Sequence, residues 1–76
     1  MKTIYLLKDL AMRTGLSIYT IKYYLNIGLI KEIGRGPDTN FRYFDDSTVK
    51  RLLMIRELRK DNMSISDITK RLRVKR

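Results

Sequence analysis

Between positions 17 and 26 the chain presents Ser17, Tyr19, Thr20, Lys22, Tyr23 and Asn26, a run of hydroxyls, phenols, one cation and one amide that contains no carboxylate. Groups of this kind bind phosphate oxygens and base edges. Arg35 and Arg42 flank a segment rich in Gly, Pro, Asp and Asn, with Phe41 beside the second arginine. Guanidinium groups so placed can grip a phosphodiester backbone. Catalysis finds no comparable set. The chain has neither Cys nor His, and its carboxylates form no pair suited to acid/base work, so no enzyme is expected. Disulfides and the usual zinc constellations are excluded on the same composition, and no cofactor is expected.

The 76 residues carry 17 Lys and Arg against 8 Asp and Glu, a formal charge of +9 with a pI near 10.2. That length predicts one small domain over 1–76. A content of 43% hydrophobic residues is that of a folded chain rather than a disordered one. A folded domain with this charge suggests a polyanionic partner, nucleic acid first and an anionic membrane surface second. The excess is unevenly placed: Lys70, Arg71, Arg73, Lys75 and Arg76 lie in the last seven residues, leaving twelve cations against eight acids, or +4, over 1–69. A basic terminus of this kind is either solvated or in contact with phosphate. No apolar run approaches the ~20 residues that cross a bilayer. Residues 4–7 are followed at once by Lys8 and Asp9, unlike a secretory signal. A cytoplasmic protein with no membrane partner is expected.

The side chains named above need elements to hold them. Leu7, Leu10, Ala11 and Thr14 recur at helical spacing and Gly15 can stop the turn, which predicts a first helix over 7–14. Ser17 is placed to cap a second helix, accepting from the amide of Tyr19 or Thr20. On a helical wheel Ile18, Ile21, Tyr24 and Leu25 lie within about 120° and predict the buried side. Tyr19, Thr20, Lys22, Tyr23 and Asn26 cover the rest, with Tyr24 in the core and Tyr23 exposed. Two short amphipathic helices joined this tightly, over about 7–26, have the form of a helix-turn-helix.

Residues 29–33 and 41–44 are short β-prone runs around the Gly- and Pro-containing segment, predicting a hairpin over about 29–44. Within it, a salt bridge from Arg42 to Glu32 competes with a role in binding. Asp45 or Asp46 can cap a third helix over about 46–60, with Val49, Leu52, Leu53, Ile55 and Leu58 as its apolar stripe and Asn62 as a left-handed stop. Ser64 to Asp67 has capping-box spacing ahead of a fourth helix over about 65–73, whose buried side is Ile65, Ile68 and Leu72. The expected fold is mainly α with a small β-hairpin, a winged helix-turn-helix of four helices plus a two-stranded wing.

In this order and spacing the chain resembles the MerR family of bacterial transcription regulators over residues 5–72. The resemblance rests on Asp9-Leu10-Ala11, Thr14-Gly15-Leu16-Ser17, Thr20-Ile21-Lys22-Tyr23-Tyr24 and Ile27-Gly28-Leu29-Ile30. It continues through Phe41-Arg42-Tyr43-Phe44-Asp45, Ile55-Arg56-Glu57-Leu58-Arg59 and Met63-Ser64-Ile65-Ser66-Asp67-Ile68. It implies sequence-specific binding of double-stranded DNA by a transcription regulator, with the second helix in the major groove and the wing on the backbone. Carried over by position, the contacts would be Ser17, Tyr19, Thr20, Lys22 and Tyr23 from the helix and Arg35, Phe41 and Arg42 from the wing. Lys22 stands where the family usually has Arg, which replaces a bidentate fork by a point charge. Tyr19 stands where a basic residue is common, and Leu25 where an acid is common.

Family members continue into a long dimerisation helix and an effector domain, and only residues 73–76 follow Leu72 here, too few for a heptad seam. The chain therefore reads as an excised DNA-binding domain or as a small standalone regulator, with homodimerisation on DNA, contact with RNA polymerase and a nucleoid-associated location as further expectations. The alternative is an excisionase-like DNA-architectural factor, also small, basic and winged. From a different class, the basic face could meet an acidic protein surface.

Overall fold

The computed structural model describes residues 3–72. Its elements are α1 (Leu7–Thr14), α2 (Ile18–Asn26), β1 (Gly34–Arg35), β2 (Arg42–Tyr43), α3 (Asp46–Lys60) and α4 (Ile65–Leu72). The two strands pair antiparallel, Gly34 opposite Tyr43 and Arg35 opposite Arg42. This is the four-helix, two-stranded winged helix-turn-helix expected from the sequence. Among the described residues no helix is long and apolar enough to cross a membrane.

Local chemistry accounts for the helix ends. The Asp9 carboxylate accepts from the Leu6 amide at 2.9 Å and tightens the start of α1. Gly15, at φ 77°, ends it in the left-handed conformation, its amide donating to Ala11 at 2.9 Å. Asp45 caps α3 by accepting from the Ser47 amide at 3.0 Å. Its neighbour Asp46 accepts instead from the Tyr5 hydroxyl, at 2.7 Å, which ties the start of the chain to α3. Asn62 is left-handed at φ 66°. Ser64 then accepts from the Asp67 amide at 3.1 Å at the start of α4.

Every helix supplies the core. Leu10 from α1, Ile21 from α2, Leu52 and Ile55 from α3 and Ile68 from α4 close around Phe44, all fully buried. Each such side chain contributes on the order of 1.5–3 kcal/mol. Tyr24, Tyr5, Leu29 and Ile30 complete the cluster. The segment before β2 departs from expectation, because residues 29–33 form no strand. Leu29 donates back to the Tyr24 carbonyl at 2.9 Å, and Leu29 and Ile30 are buried in the core. Burial there removes more apolar surface from water than an exposed ribbon could. The ladder starts only where Ile33 donates to Tyr43 at 2.9 Å.

Two stripe residues also depart. Ile18 opens α2 and is 41% exposed, and Leu53 is exposed as well. Burial on α2 begins one turn later, at Ile21 and Tyr24. On α3 it follows Thr48, Leu52 and Ile55, a line from which Leu53 is rotated by about 100°. The expected extension of the fourth helix to position 73 and the tail cations Arg73, Lys75 and Arg76 fall outside the described residues.

Two arginines of α3 fasten loops to the core. Arg51 Nε donates to the Leu29 carbonyl at 2.6 Å, and Arg56 Nη1 donates to the Thr14 carbonyl at 2.7 Å. The second bond satisfies a carbonyl that the end of α1 leaves without a helical partner. These cations fix the turn between α1 and α2 and the entry to the wing.

Candidate nucleic-acid interface

α2 is held from behind and open in front. Ile21 and Tyr24 anchor it in the core, and Tyr19, 83% exposed, lies with Lys22 and Asn26 on the solvent side. Ser17 Oγ accepts from the Thr20 amide at 3.0 Å, which resolves its cap onto Thr20. The same oxygen donates to Thr20 Oγ1 at 2.9 Å. With its oxygen already accepting, the Thr20 hydroxyl keeps its own proton for an outside acceptor. The first turn of α2 therefore offers a donor beside the amides of a capped, acid-free helix start, an arrangement that favours an anion.

An open groove runs between the start of α1, the face of α2 and the wing, lined by Leu6, Leu7, Lys8, Ile18, Lys22, Phe41 and Arg42. Three cations thus border an apolar floor. Phe41, 61% exposed, stands at the wing side. Its backbone is fixed by the wing tip: Gly36 donates to the Phe41 carbonyl and Asn40 to the Gly36 carbonyl, both at 2.9 Å. The groove joins Lys22, Phe41 and Arg42, which the sequence separates by up to twenty positions.

Lys8 is the member of this groove that spacing and residue type alone do not single out. Its signal is indirect: Leu7, Leu10 and Ala11 define the inner side of α1, so Lys8 has to face away from it.

The remaining residues are placed differently. Tyr23 is 45% exposed, but it borders a second hollow with Ile27, Ile65, Ser66, Thr69 and Lys70 rather than the groove. Its ring meets that of Tyr24 at a centroid distance of 5.9 Å, and burial pushes the Tyr24 phenol pKa up. On the wing, Glu32 pairs with both arginines: Arg35 Nε lies 3.4 Å from Oε2 and Arg42 Nε 3.9 Å from Oε1. The Arg42 to Glu32 bridge that competes with a binding role for Arg42 is therefore present, and Arg35 shares the carboxylate. Hydrogen bonding to its own backbone, joined by the two guanidinium groups and opposed by burial, holds the Glu32 carboxyl below the usual glutamate range.

Comparison with known proteins gives a consistent result. The family model described as "MerR HTH family regulatory protein" matches residues 5–75. The HTH-type transcriptional regulator CueR of Bacillus subtilis (strain 168) is 35% identical over 68 residues, which is 90% of this chain and 46% of that protein. The uncharacterized HTH-type transcriptional regulator YyaN of the same organism is 29% identical over 65 residues, 86% of this chain and 46% of its own length. Among solved structures, HiNmlR, a MerR family regulator lacking the sensor domain and bound to promoter DNA, superposes with a TM-score of 0.82. That match has 28% identity over 92% of this chain and 52% of the other. SkgA from Caulobacter crescentus, an HTH-type transcriptional regulator, gives 0.84 and 29% over 96% of this chain and 52% of its own. The chain spans about half the length of these relatives.

Proposed function

The chain belongs to the MerR HTH family of regulatory proteins, and on that premise we propose that it binds promoter DNA as a sequence-specific transcription regulator. α2 enters the major groove, where Tyr19, Thr20, Lys22 and Tyr23 meet base edges and phosphates while Ser17 holds the helix start. The wing follows the backbone, Arg35 and Arg42 on phosphates and Phe41 against sugar, and Lys8 adds a cation from α1. The observation that carries this reading is the groove in which Lys22 shares an apolar floor with Lys8, Phe41 and Arg42. It alternates charge and apolar surface as a sugar-phosphate strand does. The description of HiNmlR as bound to promoter DNA supports the choice of ligand. That the relatives are transcription regulators favours this reading over an architectural factor.

Regulation then takes place in the cytoplasm at the nucleoid, by recruiting or excluding RNA polymerase, and no enzymatic role is proposed. A random duplex pool enriched over the 76-residue chain should converge on one motif. A two-fold symmetric motif marks a homodimer on DNA, and a single short site marks a monomer. Affinity for the motif should fall steeply with salt, and Lys22→Ala should reduce the slope of log K on log salt by about 0.9, the share of a single neutralised phosphate. A pool that never converges, or binding indifferent to salt and to Lys22→Ala, overturns the assignment.

A further inference from the structure

We propose that Glu32 is a specificity-determining residue of the wing: it pins Arg35 and Arg42 side by side and weakens their attraction for non-cognate duplex. The inference rests on the DNA-binding reading above and adds a residue to it. Arg35 and Arg42 are direct cross-strand partners, a position in which like charges repel. Glu32 relieves that repulsion by giving each arginine a different carboxylate oxygen, Oε2 to Arg35 at 3.4 Å and Oε1 to Arg42 at 3.9 Å. Both approaches run through Nε, so each guanidinium keeps its Nη donors for a phosphate.

An ion pair this exposed, with 45% and 36% of the arginine side chains and 28% of the glutamate open to solvent, adds little to folding. Its consequence is for binding. The carboxylate lowers the wing's charge from +2 to +1, which weakens attraction to any duplex. It also orders the two forks in advance, which favours the one backbone path that fits them.

Binding of wild type and Glu32→Gln is compared on the duplex recovered by selection and on a scrambled duplex of equal length, across 50 to 200 mM salt. Glu57→Gln serves as the control. It removes one carboxylate from α3, where Glu57 lies 3.9 Å from Lys60, and changes net charge equally.

Glu32→Gln should tighten scrambled-duplex binding and steepen its salt slope by about 0.9, so that its advantage over wild type grows about 3.5-fold from 200 to 50 mM. The ratio of selected to scrambled affinity should fall, and the urea midpoint should move little. Glu57→Gln should leave slope and ratio as in wild type. A ratio unmoved by Glu32→Gln, or the same change in both variants, overturns the role of Glu32 alone. A wild type that binds neither duplex overturns the DNA reading, and the role of Glu32 with it.

Discussion

The two arms of the candidate interface differ in how they are held. α2 rests on Ile21 and Tyr24 in the core, is capped by Ser17 and shows solvent no carboxylate. The wing consists of two strands of two residues each, with no buried residue from 31 to 43, and its arginines share one carboxylate. A short ribbon of this kind has little stability of its own. A helix braced by the core can keep donors within the narrow geometry that base edges demand. A ribbon suits the backbone, where Coulomb attraction falls off gently with distance and tolerates small displacements. On the proposed reading, base recognition falls to α2, and the wing holds the backbone through the two arginines that Glu32 pairs.

Substitutions can break or sharpen that contrast. Ile21→Ala removes the fully buried anchor of α2 and should cost about 2–5 kcal/mol, read as a shift in urea unfolding. A loss under 1 kcal/mol would mean that α2 is not braced as described. Ser17→Ala removes the oxygen that caps α2 and should cost about 1 kcal/mol by the same assay. Phe41→Ala, on the wing, should change stability by no more than about 0.5 kcal/mol because the ring is exposed, yet weaken duplex binding. An equal loss of stability from Phe41 and Ile21 would erase the distinction between the arms.

The smallest effect concerns pH. The Glu32 carboxyl lies below its ordinary value of 4.5, so its contribution is fully present above that value and is lost as pH falls through the lowered one. A carbon-detected NMR titration should place the Glu32 midpoint below the ordinary glutamate value, and a midpoint at or above it would show that the backbone hydrogen bond and the two guanidinium groups do not favour the carboxylate.

Periodicity made α2 legible: the inner positions of Ile21 and Tyr24, the exposure of Tyr23 and the Ser17 cap all follow from spacing and residue type. The left-handed stops at Gly15 and Asn62 were legible for the same local reason. What escaped depended on distant parts of the chain. A wheel cannot tell that the first turn of α2 overhangs the core and exposes Ile18. A β-prone composition at 29–33 cannot reveal that Leu29 and Ile30 have a place in the core waiting for them. Arg51 and Arg56 read as surface charge until the Leu29 and Thr14 carbonyls are seen beside them. Lys8 becomes part of the candidate site only once α1, α2 and the wing meet.

The division of the interface is tested most directly by amide chemical-shift mapping of the labelled chain against the duplex recovered by selection. The largest changes should fall at 17–23 of α2 and 35–42 of the wing, with Lys8, while Leu53, Met54 and Glu57 on the exposed side of α3 keep their positions. Changes confined to α3 and α4, with α2 unmoved by a duplex that nonetheless binds, would contradict the assignment of α2 as the reading helix.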